Sequence, residues 1–264
     1  MGAGRRVVVS QRAGEAPRRL VCLVPSITEL LFTLGAGGRL VGRTRYCEEP
    51  SGRVENVETV GGTKNPDCER IIGLAPDLVI VNREENRIED FRRLESAGLR
   101  VLVTHPRTVA QAADMIEAVG DAVHAAEPAR RLAAQCRARL VRQQPKPSAT
   151  GPVRVFCPIW RRPWMTFGPC TYVADVLRQA GMESMYDASE GPDFFEVELA
   201  DVRARRPELV LLPDEPYVFR PEHAEELRSG GLEARYELLD GKDLAWYGPR
   251  TPWALERLAK LCSG

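Results

Sequence analysis

Apolar positions fall into short unbroken runs separated by segments of helical period, beginning with the run at 20–24. Directly after it, Ser26 with Glu29 three residues on makes a capping-box pattern, and Ile27, Leu30, Leu31 and Leu34 recur at helical spacing until Gly35. Asn65-Pro66-Asp67 predicts a second helix start: a cap residue, a proline in the first turn, then an acid favoured by the helix dipole. That helix stops before Pro76, and Leu78-Val79-Ile80-Val81 reads as a buried strand. A helix over 88–97 and a strand over 100–104 follow. Strands alternating with short helices predict a parallel α/β sheet.

From 108 to 144 the pattern is helical throughout and broken only at Glu127-Pro128, which predicts two helices with Pro128 opening the second. The second, 128–143, spans roughly 24 Å at about 1.5 Å per residue. Residues 145–152, rich in proline, serine and glycine, read as a linker. Alternation then resumes with a strand over 153–157, helices over 172–180 and 199–206, and a strand over 209–212.

The second half repeats the first. Ala75-Pro76-Asp77-Leu78-Val79-Ile80-Val81 matches Arg206-Pro207-Glu208-Leu209-Val210-Leu211-Leu212 at an offset of 131. Leu94-Glu95-Ser96-Ala97-Gly98-Leu99 matches Leu227-Arg228-Ser229-Gly230-Gly231-Leu232 at an offset of 133. Matched units on either side of a long helix predict two similar lobes with a cleft between them. The chain divides into an extension (1–17), a first α/β lobe (18–126), a helix (127–144), the linker (145–152) and a second α/β lobe (153–264).

Open parallel sheets bind ligands beyond the carboxyl ends of their strands. In the first lobe those ends carry Ser26, Arg45 and Tyr46, Asn82 and Arg83, and His105. In the second they carry Trp160, Arg161, Arg162 and Trp164, then Asp214 and Tyr217, then Trp246, Tyr247 and Arg250. Aromatic walls interleaved with arginines suit a large, flat, partly polar ligand; the lesser reading makes Trp160 and Trp164 plugs at a lobe interface. Arg161 and Arg162 read either as holders of anionic or amide edges of a ligand or as solvated surface.

Charge and composition narrow the function classes. The 37 basic and 37 acidic side chains cancel, which argues against a nucleic acid or an anionic membrane as partner. An apolar content of 44% is enough to build a core. No stretch approaches the roughly 18–20 apolar residues of a membrane-spanning helix. The run Val7-Val8-Val9 is short of a signal peptide's apolar region, and seven cysteines without any C-x-x-C read as buried thiols of a reduced protein. These features predict a cytoplasmic protein, with a periplasmic or cell-surface place only if the start site is altered. No pair of Cys or His has structural zinc spacing, and neither G-x-S-x-G, a Walker loop nor G-x-G-x-x-G occurs, so no catalytic residue, metal site or cofactor is expected.

Several motifs resemble those of one family. Leu23-Val24-Pro25-Ser26-Ile27-Thr28-Glu29-Leu30-Leu31, Val41-Gly42-Arg43-Thr44-Arg45-Tyr46-Cys47, Val60-Gly61-Gly62-Thr63-Lys64-Asn65-Pro66-Asp67 and Pro76-Asp77-Leu78-Val79-Ile80 are similar to the substrate-binding proteins of cobalamin and iron-complex ABC importers, the helical-backbone metal receptors. The likeness runs from about Arg18 through nearly the whole chain and is strongest to the cobalamin-binding branch. It implies an α/β fold of two Rossmann-like lobes with mostly parallel sheets bridged by a long backbone helix, the class III substrate-binding-protein fold. It also implies a corrinoid or other metal complex held in the interlobe cleft, an ABC-transporter permease as partner, and a monomer. The family's cleft tyrosine falls on Tyr46, and an aromatic of the cobalamin binders falls near Phe194 or Phe195, of which Phe195 is taken into the ligand set. The tryptophan often found after the first-lobe strand is here Asn82. Of the two glutamates with which the family docks on its transporter, Glu69 occupies the first position and Ala200 the second.

The expected function is therefore non-enzymatic binding of a metal-bearing macrocycle. A ferric siderophore or haem is the alternative ligand, the first suited by the arginine-rich loops. A cytoplasmic tetrapyrrole enzyme such as a chelatase is the alternative of another class, and it would need a metal-directing histidine with an acid beside it.

Overall fold

The computed structural model describes residues 15–142, 151–186 and 192–262; most of the expected extension and linker lies outside the described residues. Two compact units are present. Unit 1 takes residues up to Pro106 with Gln111–Gln135 and Tyr247–Pro249, and unit 2 takes Arg107–Ala110, Cys136–Trp246 and the chain from Arg250.

Unit 1 contains β1 (Leu20–Cys22), α1 (Pro25–Thr33), β2 (Leu40–Arg43), α2 (Cys68–Gly73), β3 (Leu78–Asn82), α3 (Ile88–Ser96) and β4 (Val101–Thr104), followed by most of α4 (Val109–Ala122). Helix α5 (Ala126–Arg142) belongs to unit 1 as far as Gln135 and to unit 2 from Cys136. Unit 2 continues with β5 (Val153–Phe156), β6 (Met165–Phe167), α6 (Tyr172–Gln179), β7 (Met182–Ser184), β8 (Phe194–Glu196), α7 (Leu199–Arg205) and β9 (Leu209–Pro213). It closes with α8 (Pro221–Ser229), β10 (Arg235–Leu239), α9 (Lys242–Ala245) and α10 (Thr251–Lys260).

Both units carry a four-stranded parallel sheet of the same topology, β2-β1-β3-β4 in unit 1 and β7-β5-β9-β10 in unit 2. The central strands are sealed on both faces: every residue of β3 and of β9 is buried. Val21, Ile71, Val79, Val81 and Leu94 build the core of one side of the first sheet, and Phe156, Val202, Val210, Leu212 and Leu227 build its counterpart in unit 2. Continuous apolar runs are what a parallel sheet covered on both sides requires. In unit 2, β6 and β8 add a small antiparallel pair outside the parallel sheet.

The sequence repeat has a structural cause at each matched position. Asp77 Oδ2 accepts hydrogen bonds from the backbone N–H groups of Arg18 and Arg19 at 2.7 and 2.8 Å, and Glu208 Oε2 accepts from Arg154 N at 2.9 Å. Arg19 donates to the Leu74 carbonyl, and Arg154 donates to that of Arg205, 131 residues further on. The Pro-acid-Leu motif thus ties off the N-terminal edge of each sheet. The second motif is a helix stop. After α3 the N–H groups of Gly98 and Leu99 bond back to Glu95 and Leu94, and after α8 those of Gly231 and Leu232 bond back to Arg228 and Leu227. Gly98 and Gly231 hold φ of +81° and +82°, the left-handed position of a Schellman turn, and the leucines on either side are what that turn packs together.

Three expected starts and stops shift. Ser26 does not cap α1: the N-cap is Val24 without a side-chain bond, and Pro25 opens the helix with its preset φ, which places Ser26 inside the first turn. Asp67, not Asn65, caps α2, its carboxylate accepting from Arg70 N at 3.0 Å, because Gly61 and Pro66 are bridged and hold Asn65 in the turn. Helix α4 ends before Glu127-Pro128, at a turn in which Ala125 N bonds Gly120 O at 2.7 Å and His124 takes φ +53°. Pro128 then lies in the first turn of α5, where its missing N–H costs nothing.

Around Gly98 no atom would obstruct a methyl group, so its cost as alanine is conformational alone. Gly98→Ala is expected to lower stability by about 1–2 kcal/mol in urea unfolding and Gly98→Asn by less, since asparagine tolerates the left-handed region.

Candidate functional site

At the C-terminal edge of the unit 1 sheet, the loop after β3 is built by buried amides. Asn82 Oδ1 accepts from the N–H groups of Glu84 and Glu85 at 2.8 and 3.3 Å, and its Nδ2 reaches Thr104 Oγ1 at 3.3 Å. Asn86 Oδ1 accepts from Asn82 N at 2.7 Å while its Nδ2 donates to the carbonyls of Leu23 and Thr63. Asn82 is therefore a buried loop organiser with its side chain fully used, and Asn86, whose importance sequence reasoning missed, is the second half of that device. The Asn-x-x-x-Asn spacing after a buried strand was the available signal.

On this frame the loop after β2 leaves Tyr46 54% exposed, with the Arg45 guanidinium 6.0 Å from its ring centroid. The ring lies over Gly62, where an added Cβ would stand 3.3 Å from Tyr46 Cε2 and 2.5 Å from Asn65 Oδ1. Arg83, directly after β3, is exposed. His105, directly after β4, has Nε2 3.1 Å from Glu84 Oε1. Tyr247 is buried and donates its phenolic hydrogen to Glu85 Oε1 at 2.9 Å, and the adjacent Ser26 is buried at the start of α1. Burial first, and the neighbouring Glu85 carboxylate next, hold the Tyr247 phenol well above the usual tyrosine range.

In unit 2 the corresponding edge is aromatic. Trp160 is 42% exposed and meets Tyr217 edge-on at 5.5 Å; Tyr217 packs on Phe219 at 4.7 Å, and Phe219 stacks on Trp164 at 6.0 Å. Arg161 forms a fork of two 2.9 Å bonds to Glu226 on α8, so its guanidinium is held in place, whereas Arg162 is exposed. Phe195 turns inward against Tyr186 at 5.2 Å, and the ring left exposed on β8 is Phe194. Asp214 Oδ1 is taken by Gly241 N at 2.8 Å. Trp246 is buried, its indole N–H donating to Glu215 Oε1 at 3.0 Å between the cationic groups of Lys242 and Arg250, and Arg250 also lies 3.5 Å from Asp240. Burial raises the Glu215 carboxyl above its ordinary range, partly offset by that indole bond.

The predicted set thus divides by exposure. Arg45, Tyr46, Arg83, Trp160, Arg162 and Asp214 are exposed, Arg161, Phe195, Tyr217 and Arg250 are half-buried, and Ser26, Asn82, Trp246 and Tyr247 are buried. A shallow recess of about 240 Å³ lined by Pro163, Trp164, Glu196, Val197 and Glu198 is smaller than the roughly 300–1,000 Å³ of sites that enclose sizeable ligands. Among the described residues no group of three or more His, Cys, Asp or Glu side chains could hold a metal ion, and no helix is long and apolar enough to cross a membrane.

Two parallel sheets of the same topology with aromatic side chains at their strand ends suit the binding of a ligand. The chain belongs to the periplasmic binding protein family, whose model matches residues 20–215. It is 27% identical over 197 residues, 75% of this chain and 71% of the relative, to a vitamin B12-binding protein of Photorhabdus laumondii. The fold matches the periplasmic vitamin B12 binding protein BtuF of Vibrio cholerae with a TM-score of 0.78 at 23% identity, over 94% of this chain and 97% of that one. It also matches a periplasmic haem-binding protein of Pseudomonas aeruginosa, with a TM-score of 0.80 at 22% identity over 93% and 92%.

This membership corrects the cytoplasmic expectation, because the family and the solved neighbours are periplasmic binding proteins. The thiols misled for a physical reason. Cys22, Cys47, Cys68, Cys136 and Cys157 are buried, and burial pushes the Cys136 thiol up to about 12 and those of Cys22, Cys47 and Cys157 likewise upward. A buried, protonated thiol is a poor nucleophile, so these five cysteines do not demand a reducing compartment.

Two measurements follow from this chemistry. Of the seven cysteines, an aromatic disulfide reagent should label exposed Cys170 and half-buried Cys262 rapidly and the rest only on unfolding. Alkaline titration at 295 nm should leave Tyr247 protonated past the ordinary tyrosine range of about 10 until the chain unfolds. A phenol held above its unfolded value stabilises the fold below that value and loses this contribution as pH rises, so Tyr247→Phe should flatten the decline in stability above about pH 10.

Proposed function

We propose that the protein is the ligand-binding component of an importer for a corrinoid, and that the cobalamin-like ring system lies against the exposed aromatic groups at the C-terminal strand ends. The observation that carries this reading is the exposure of Tyr46 and Trp160, large rings placed by well-packed loops yet left 54% and 42% open. Such rings recover little by facing water and gain by covering a flat apolar ligand. The vitamin B12-binding relative covers three quarters of the chain, which favours a corrinoid over haem, since the haem-binding neighbour shares the fold alone.

The partner in this reading is an ABC-transporter permease. Glu69 supports it on unit 1: it is exposed in the first turn of α2 and paired with Arg93, so its carboxylate is presented rather than buried. The position 131 residues on is Ala200, and the neighbouring Asp201 is bound to Arg205 at 2.8 Å, so docking rests mainly on the unit 1 acid. A monomer accounts for the proposed role without a second copy.

Absorbance titration against cyanocobalamin, hemin and a ferric siderophore tests the reading. Cyanocobalamin should bind, and Tyr46→Ala and Trp160→Ala should each weaken it by roughly 1–3 kcal/mol, the loss of one large apolar contact. Saturation by hemin or the siderophore with no response to cyanocobalamin would reassign the ligand.

A further inference from the structure

We infer that His105 is an axial ligand to the metal of the bound corrinoid, a step that rests on the corrinoid reading above. The chain has three histidines, and two of them lie away from the strand ends of unit 1. His124 is exposed in the left-handed turn between α4 and α5, at no strand end. His223 lies within the aromatic cluster, its Nδ1 accepting from Arg220 N at 2.9 Å and its Nε2 3.4 Å from the Tyr217 hydroxyl. His105 differs in place and in bonding. It follows the last residue of β4 at the edge where parallel sheets receive ligands, and its side chain is 25% exposed. Its Nε2 faces Glu84 Oε1 at 3.1 Å, while Nδ1 finds no hydrogen-bond partner among the described residues.

A carboxylate on one imidazole nitrogen fixes the ring and its tautomer and makes the other nitrogen a better donor, which is how histidine ligands are supported in metal sites. Glu84 is itself held. Its N–H donates to Asn82 Oδ1 at 2.8 Å, and its carbonyl accepts from the Lys64 ammonium. With the proton on Nε2 directed at Glu84, the lone pair of Nδ1 is available. The described residues offer no cluster for a free ion, so one nitrogen donor suits a metal whose equatorial positions a macrocycle already fills. The exchange is a ligand substitution: a cobalt–nitrogen bond forms, the cobalt–water bond breaks, the water leaves, and cobalt stays trivalent.

Binding of aquocobalamin and of cyanocobalamin at pH 7, where the cobalt still carries water, separates the possibilities. Aquocobalamin should bind with its visible bands shifted to longer wavelength, and cyanocobalamin, whose cyanide is not displaced, should bind without a shift. His105→Ala should abolish the shift and weaken aquocobalamin by about tenfold or more while leaving cyanocobalamin within about twofold. Glu84→Gln should keep the shift but speed release of aquocobalamin. Binding of both cobalamins with no shift, or a shift that survives His105→Ala, overturns the inference and leaves the corrinoid reading standing. Binding of neither overturns both.

Discussion

A parallel sheet sealed on both faces leaves only the ends of its strands for chemistry. Every residue of β3 and β9 is buried, as is all of β1, while the edge strand β10 is only half-buried. Polar side chains therefore collect where the strands stop. At one end they close the sheet, and at the other they are free to diverge.

The two units use this division in the same way. At the N-terminal edge Asp77 and Glu208 perform one task with matched partners, and the helix stops at Gly98 and Gly231 repeat bond for bond. At the C-terminal edge the same offset sets Asn82, a buried amide that organises a polar loop, against Pro213, after which Tyr217 and Phe219 begin an aromatic cluster. A shared scaffold thus presents a polar face with one open tyrosine in unit 1 and a ring-rich face in unit 2. Such faces suit a large ligand with both flat apolar and polar parts.

The sheet scaffold was legible because burial on two faces writes continuous apolar runs, and the repeat was legible because its motifs are backbone devices with strict residue needs. The antiparallel pair β6–β8 was not predicted: Met165–Phe167 and Phe194–Glu196 are three-residue strands with no period long enough to read. Placement at a strand end was legible, but orientation was not. Trp160 and Trp246 look alike in sequence, yet one is open and the other is turned inward by an indole bond to Glu215. Compartment failed for a different reason: burial of the thiols was legible, and five of the seven are buried, but a buried thiol does not require a reducing compartment.

Hydrogen exchange of the full chain with and without saturating cyanocobalamin tests most directly whether the strand ends carry the function. Slower exchange is predicted in 44–46 and 83–85 of unit 1 and in 158–162 and 214–219 of unit 2, with 17–19 and 152–154 at the opposite edges unchanged. Protection confined to those opposite edges, or to the outer helices, in a sample shown to be saturated would contradict the account.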